Sequence, residues 1–238
     1  MTFNPDEIVF WQWGVFRLNA TILFTWLVMV VLMIVARLAT RRLTAGAQLS
    51  RWQNLLEVLV SGMITQVREV SRREPGPYLP FIGTLFLFIA TANLLAVVPG
   101  YRPPTGSLST TTALAICVFI AVPLFGVSQQ GWRGYFGQYL KPSPFMLPFN
   151  IIGEISRTFA LAVRLYGNIM SGTIIVAVLL GLAPLLFPVL MQLFGVLIGT
   201  IQAYIFAVLA MVYVASASAS HAPHSESNDN NKQEAHHG

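Results

Sequence analysis

One arginine stands deep inside a stretch of sequence that is otherwise suited to lipid. Arg164 lies in "LAVRLYGNIMSGT", residues 161–173, and no Asp, Glu, Lys or Arg follows it between Leu165 and Ser220. A charge at the centre of a bilayer costs several kcal/mol, so an arginine there is rare without a function. Its chemistry would be electrostatic, because a guanidinium keeps its proton in proteins and acts as a fixed positive charge.

Two ordinary explanations of Arg164 fit the sequence poorly. Snorkelling requires the charged head to reach the interface, but a helix that begins near Phe149 places Arg164 about 22 Å along its axis. An ion pair with Glu154 is poorly oriented, because the two residues lie about 80° apart around the helix. Glu154 and Arg157 can instead meet each other at i, i+3. We therefore expect Arg164 to have a functional role.

Polar side chains continue along the same helical face. Four of them are separated by seven, four and three residues, which aligns them on one side of a helix. They are Arg157, Arg164, Asn168 and Ser171. The following helix has a stripe of its own, formed by Gln192, Gly195, Gly199 and Gln202. Its "GVLIG" is open to two interpretations, a packing groove and part of a transport surface. Together the stripes predict an ion pathway or electrostatic gate around one cation, with Gln202 bonded to the guanidinium or lining the same path.

The composition is that of an integral membrane protein. Of 238 residues, 55% are hydrophobic and only 10% are charged, whereas soluble domains carry about 25% charged residues. In a membrane protein, the positions of the basic residues behind the net charge of +5 indicate membrane topology more than binding partners. Nucleic-acid binding is not supported, because no basic stripe is interleaved with aromatic residues. The only cysteine, Cys117, excludes a disulfide framework within the chain.

Five apolar segments are long enough to cross a bilayer, which requires roughly 20 helical residues. We expect spans near 18–36, 80–98, 112–128, 149–181 and 186–218, within a membrane domain of residues 18–220. The last two are each about 45 Å long and must tilt or protrude, and "GLAPLLFP" turns the chain between them. The predicted fold class is an all-α integral membrane protein with about five crossings, the last two long and strongly tilted.

The distribution of basic residues predicts the orientation. Seven arginines lie between the first two spans against three glutamates, whereas the next loop has only Arg102. The positive-inside rule then places the first and third loops in the cytoplasm. The N-terminal segment 1–17 is expected outside and the C-terminus inside.

The first cytoplasmic loop is predicted to contain an amphipathic helix over residues 50–70. Apolar side chains recur at helical spacing through "SRWQNLLEVLVSGMITQVREV", and Ser50 with Gln53 fits a capping box. Two interpretations stay open, a helix on the inner membrane face and a docking surface for a partner subunit. The polar tail, 221–238, is predicted to be disordered, and its four histidines have no metal-site spacing.

Motifs of independent enzymes are missing from this sequence. It contains no "GxxxxGK[ST]", no "HExxH" and no "GxSxG", and no histidine precedes residue 221. We therefore expect a non-catalytic protein without cofactor or metal.

Several motifs resemble one family, subunit a of the F-type ATP synthases. "PFNIIGEISRTFALAVRLYGNIMSGT" resembles the family's arginine signature, and "IQAYIFAVLAMVYV" its last-helix motif with Gln202. "TLFLFIATANLLAVVPGY" and "PPTGSLSTTTALAI" resemble its second- and third-span patterns. The resemblance extends over residues 20–218. It implies a bacterial stator of the F0 sector, with two half-channels beside a rotating ring of c subunits and with peripheral-stalk b subunits as partners.

The same resemblance suggests roles for individual residues. Arg164 would be the fixed charge facing the c-ring, and ion translocation would also involve Gln202, Asn168 and Glu154. The possible half-channel lining comprises Thr173, Ser107, Asn93 and Ser171.

This sequence departs from the commoner family pattern at three positions. Thr173 stands where many members have a glutamate or histidine, Ser107 replaces the usual aspartate, and Gly195 stands where some have histidine or glutamate. Glu154 is then the obvious titratable residue of the last two helices. Two hypotheses for the ion follow: protons crossing water-filled half-channels, or sodium, because hydroxyl and amide oxygens suit hard cations.

Two other classes of protein remain as alternatives. An independent channel or secondary transporter would be expected to show an internal repeat or a broken helix, and neither is evident. A structural membrane scaffold would not need Arg164.

Overall fold

The computed structural model describes residues 9–13, 16–40, 51–71, 77–98, 100–139, 145–182 and 187–218. Within these ranges, five helices are long and apolar enough to cross a membrane: Ala20–Leu38, Leu79–Val97, Leu108–Tyr135, Pro148–Gly181 and Val189–Ala217. The predicted all-α membrane protein with five crossings is confirmed. The tail 221–238, with its histidines, and Ser50 of the predicted capping box lie outside the described residues.

Six α-helices follow a short β-hairpin in the described chain. The helices are α1 (Ala20–Thr40), α2 (Arg51–Ser71), α3 (Leu79–Leu94), α4 (Leu108–Tyr139), α5 (Met146–Leu182) and α6 (Phe187–Ser218). Strands β1 (Val9–Trp13) and β2 (Phe16–Asn19) pair antiparallel, with Gln12 opposite Arg17. The sequence pattern did not predict this hairpin, although aromatic and β-branched residues are typical of strands.

The core of the membrane domain lies where α3, α4, α5 and α6 meet. Ile89, Leu165 and Phe206 are completely buried there. Alanines such as Ala203 and Ala210 are also buried in this core, and such small residues let helix backbones approach closely. α1 packs mainly on α3 and leaves most of its apolar side chains exposed. Lipid tails are as apolar as these side chains, so their exposure is compatible with the fold in a bilayer.

α5 and α6 are longer than a simple membrane crossing requires. They have 37 and 32 residues, or about 56 and 48 Å at 1.5 Å per residue, against a hydrocarbon core of about 30 Å. Only 6% of the apolar stretch of α5 is buried within the chain, compared with 33% for α6. α6 therefore belongs to the core, whereas α5 turns most of its surface outward.

α4 bends sharply at Gly131, where φ is 73° and ψ is 164°, a conformation that favours glycine. The helical segment predicted to end near residue 128 continues beyond this bend to Tyr139. Tyr135 packs over Gly126, where an added Cβ would lie 2.5 Å from Tyr135 Cε2. Gln130 Nε2 donates a hydrogen bond to the Ala217 carbonyl of α6, at 3.0 Å. The bend is thereby fastened to the end of α6.

α2 is the predicted amphipathic helix, and it lies against α3 and α6. Met63 and Gln66 are partly buried, while Glu57 and Arg68 are exposed. The Tyr204 hydroxyl of α6 donates a hydrogen bond to Gln66 Oε1, at 2.7 Å. An apolar crevice of about 390 Å³ lies between α2, α3 and α6. Docking of a partner subunit on α2 stays a prediction.

Filling the space at Gly126 is expected to destabilise the folded protein. The Gly126→Ala methyl group would collide with the Tyr135 ring and approach the Ala217 carbonyl oxygen to 3.2 Å. Overpacking of this kind costs about 1–3 kcal/mol. Thermal unfolding in detergent, followed by tryptophan fluorescence, should show a lower midpoint for this variant. The control is Gly137→Ala in the same helix, where an added Cβ meets nothing within 4 Å. Equal midpoints for the two variants would contradict the packing described here.

Candidate functional site

Arg164 lies on the outward side of α5. Its side chain is exposed, while the neighbouring Leu161, Ala162 and Leu165 are buried against the bundle. Among the described residues, its guanidinium forms no hydrogen bond or ion pair. Because a charged side chain in a membrane span normally pairs or faces water, this cation has to be compensated from outside the described chain.

The predicted polar stripe is present on α5 as one continuous helical face. Arg157, Arg164 and Ser171 are exposed, and Asn168 is partly exposed. The Arg157 guanidinium carbon lies 5.7 Å from the centre of the Tyr213 ring of α6, which is within the range of a cation–π interaction. The stripe therefore reaches the seam between α5 and α6 at its Arg157 end.

Glu154 lines a polar cavity where the start of α5 meets the end of α6. The cavity has a volume of about 390 Å³, and its walls comprise Tyr135, Phe149, Asn150, Gly153, Glu154, Arg157, Ser216 and Ala217. The Glu154 carbonyl also accepts a hydrogen bond from the Thr158 hydroxyl, at 3.0 Å. Glu154 and Arg157, predicted to lie one turn apart, thus face the same cavity.

Gln202 is buried in α6, with 7% of its surface exposed. Its Nε2 has no hydrogen-bond partner within the described parts of the chain, although buried polar atoms normally have one. No hydrogen bond joins Gln202 to Arg164 among the described residues. The direct contact considered from the sequence is therefore absent here, and the Gln202 amide keeps an unused donor.

Asn93 and Ser107 are buried and form hydrogen bonds with neighbouring groups. Asn93 Nδ2 donates to the Gly199 carbonyl of α6 at 2.8 Å, and Asn93 Oδ1 accepts from the Thr105 hydroxyl at 3.3 Å. Ser107 Oγ accepts from the Ser109 N–H at 3.2 Å, which is an N-terminal cap of α4. Both side chains have structural partners, and their proposed place in a half-channel stays a prediction.

Thr173 and Ser171 lie on the exposed surface of α5. The Thr173 hydroxyl donates its proton to the Ile169 carbonyl of its own helix, at 2.9 Å, as threonines in helices often do. Thr173 and Ser107, the two hydroxyls that the family resemblance singled out, therefore occupy very different environments.

A short turn between the second and third spans was missed by sequence reasoning. Pro104–Gly106 forms a 3₁₀ turn whose three residues are buried among α1, α3, α4 and α5. Its "PPTG" signals a turn, but a turn in sequence is normally placed at the surface. The completely buried hydroxyl of Thr105 could be recognised as a partner of Asn93 only from the three-dimensional structure.

Other candidate chemistry is sparse in the described chain. The Tyr101 ring packs edge-on against Phe24, with ring centres 5.0 Å apart, and burial raises the pKa of the Tyr101 phenol far above its usual range. Tyr101 is thus a neutral group at ordinary pH. Within the described residues, no group of three His, Cys, Asp or Glu side chains is close enough to hold a metal ion.

Comparison with known proteins agrees with the arginine and glutamine motifs. The family model described as ATP synthase A chain matches residues 22–215. The chain is 64% identical over 218 residues to ATP synthase subunit a 2 of Acaryochloris marina, covering 92% of this chain and 93% of that relative. It is 57% identical over 226 residues to ATP synthase subunit a of Albidiferax ferrireducens, covering 95% and 98% of the two chains.

A third relative, ATP synthase subunit a of Nitrosospira multiformis, is 54% identical over 229 residues, covering 96% of this chain and 91% of the relative. The match extends through all five apolar helices, including the segments that carry Arg164 and Gln202. The chain therefore belongs to the ATP synthase A chain family, the subunit a of F-type ATP synthases.

Proposed function

We propose that this chain is the non-catalytic stator of a rotary ATP synthase, in which it forms two ion half-channels against a ring of c subunits. The observation that carries the proposal is the exposed side chain of Arg164 on α5, whose apolar stretch is only 6% buried within the chain. A partner surface beside α5 would both cover this helix and supply a counter-charge. A ring of membrane-embedded carboxylates has the chemistry required.

The fixed charge of Arg164 explains how such a ring could release and take up ions. A carboxylate that approaches an arginine is favoured in its ionised form, so it gives up its proton or metal ion there. The guanidinium cannot carry a proton away, because it stays protonated in proteins. Arg164 would thus separate the two half-channels while allowing the ring carboxylates to pass.

The polar cavity beside Glu154 is suited to the inner half-channel. It opens at the end of the molecule where α5 begins and α6 ends, and its polar walls can hold several waters. Glu154 would attract cations into it, and Arg157, held over Tyr213, would limit how far they go. The outer half-channel would follow Asn168, Ser171 and Thr173 along α5.

The orientation and the partners follow from the same proposal. The arginine-rich segment around α2 belongs in the cytoplasm by the positive-inside rule, which places the N-terminus outside and the C-terminus inside a bacterial inner membrane. The c-ring would contact α5 and α6. Peripheral-stalk b subunits would hold this chain against rotation.

We favour protons as the transported ion, with sodium as the second candidate. Sodium is suggested by the hydroxyls of Thr173 and Ser107, since oxygen ligands suit hard cations. Ser107, however, is fully buried and engaged in capping α4, so only Thr173 presents its oxygen on the outer surface. An independent channel or secondary transporter, the alternative from another class, would leave the exposed Arg164 without a counter-charge.

Replacement of Arg164 by lysine is expected to abolish ATP-driven ion pumping. An ammonium lacks the planar fork of the guanidinium and can lose its proton when desolvated. Pumping into inverted vesicles, measured by quenching of a pH-sensitive dye, should fall by about 100-fold or more, as expected when a reacting group is misplaced. The c-ring content of the membranes should be unchanged. Arg133→Lys, an exposed arginine on α4, serves as the control. Substantial pumping by Arg164→Lys would refute the proposed role.

Sodium should have no effect on a proton-coupled complex. We expect the rate of ATP hydrolysis by the purified complex to be independent of sodium concentration at neutral pH. We also expect sodium to leave unchanged the rate at which a carbodiimide modifies the ring carboxylate, because a proton-selective site gives no protection. Protection by millimolar sodium, with potassium as the control salt, would instead establish the sodium-coupled alternative.

A further inference from the structure

Asn93 joins α3 to α6 by a contact that depends on shape as well as on hydrogen bonding. Its Nδ2 donates to the Gly199 carbonyl at 2.8 Å, and only 2% of the residue is exposed. A Cβ added at Gly199 would lie 2.8 Å from Asn93 Cγ, which is closer than real Cβ atoms approach. Any residue larger than glycine at 199 would therefore push α6 away from α3.

A second amide crosses the same seam in the opposite direction. Gln192 Nε2 of α6 donates to the Ala96 carbonyl, just beyond the end of α3. Each helix thus contributes one side-chain donor to a backbone carbonyl on the other side. Two such bonds, seven residues apart along α6, restrict both its rotation and its axial position.

The buried turn Pro104–Gly106 continues this contact from α3 to α5. The Thr105 hydroxyl donates to Asn93 Oδ1 at 3.3 Å. The adjacent Gly106 lies so close to α5 that an added Cβ would be 3.0 Å from Ile169 Cγ2. The contacts form a series that runs from Ile169 of α5, through Gly106 and Thr105 of the turn, to Asn93 of α3 and Gly199 of α6.

The two ends of this series lie close to the proposed ion-translocation residues. Ile169 follows Asn168 directly and is five residues beyond Arg164 on α5. Gly199 is three residues, or almost one helical turn, before Gln202 on α6. A displacement at Asn93 would therefore be transmitted to the relative positions of Arg164 and Gln202.

We propose that Asn93 is a positioning residue that sets the register of α6 against α5, and with it the placement of Gln202 relative to Arg164. This inference rests on the proposed function and assigns Asn93 a role other than lining a half-channel. The side-chain amide of Asn93 suits this positioning role, because its Oδ1 accepts a hydrogen bond from the Thr105 hydroxyl while its Nδ2 donates one to the Gly199 carbonyl. A hydroxyl or carboxylate side chain at position 93 could not both fill the space beside Gly199 and form the same hydrogen bonds with Thr105 and Gly199.

The test is a set of three variants of the complete ATP synthase: Asn93→Ala, Gly199→Ala, and the two combined. Gly199→Ala should lower ATP-driven pumping per assembled complex by about tenfold or more, since small misplacements of reacting groups cost up to about 100-fold. The fraction of ATP hydrolysis that a carbodiimide inhibits should fall in parallel, because ATP hydrolysis becomes uncoupled from ion passage through the ring. The double variant should recover both quantities only in part, to the reduced level of Asn93→Ala alone, because truncating Asn93 removes the clash with the methyl group at 199 but also removes both hydrogen bonds.

The amount of assembled complex, from co-purification of the c-ring, separates positioning from simple structural support. Loss of complex with normal pumping per remaining complex would overturn the inference, and so would a double variant no better than Gly199→Ala. Gly83→Ala is the matched control: it is a buried glycine of α3 where an added Cβ would make only an ordinary contact, 3.6 Å from Met63 Sδ. Arg164→Lys, measured in the same assay, distinguishes a failure of the positioning role from a failure of the proposed function. If it abolishes pumping while Gly199→Ala pumps normally, only the positioning role fails.

Discussion

The uncompensated charge of Arg164 is the constraint on which the arrangement of this protein depends. A guanidinium held in a membrane span needs a counter-charge or water, and the described chain provides neither a hydrogen bond nor an ion pair to it. Five crossings and a packed core could be built without such a group. Its place on the exposed side of α5 leaves the charge to be compensated by groups or water beyond the described chain.

α5 and α6 differ in how they are held within the chain. α6 is the anchored helix, with contacts to α2, α3, α4 and α5 and hydrogen bonds from Asn93 and Gln130 to its backbone carbonyls. α5 contributes little buried surface and displays polar side chains outward instead. In the proposed stator, the contacts of α6 would hold the mostly exposed α5 stationary beside the moving ring.

Sequence reasoning identified the features that depend on local pattern. Apolar length indicated five spans, spacing aligned Arg164 with Asn168 and Ser171, and amphipathic periodicity indicated α2. The partners of Asn93 and Gln192 could not be found in this way, because each donates to a backbone carbonyl, and every residue has one of those. Glycine patterns were equally ambiguous: "GVLIG" contains Gly199, which accepts the Asn93 side chain, and Gly195, which has no neighbour within 4 Å of an added Cβ. Only the three-dimensional arrangement separates them.

The bond between Asn93 and Gly199 also has a consequence for biosynthesis. Its two partners are 106 residues apart in the chain, so at ribosomal rates α6 arrives about 5–20 s after Asn93 has left the peptidyl-transferase centre. Thr105 is only 12 residues further on and follows after about 0.6–2.4 s at the same rates. The turn between α3 and α4 can thus bind Asn93 Oδ1 before α6 is made, whereas Asn93 Nδ2 must wait for its partner on α6. That bond persists in the finished protein, where Asn93 Nδ2 also gains the Gly199 carbonyl as its partner.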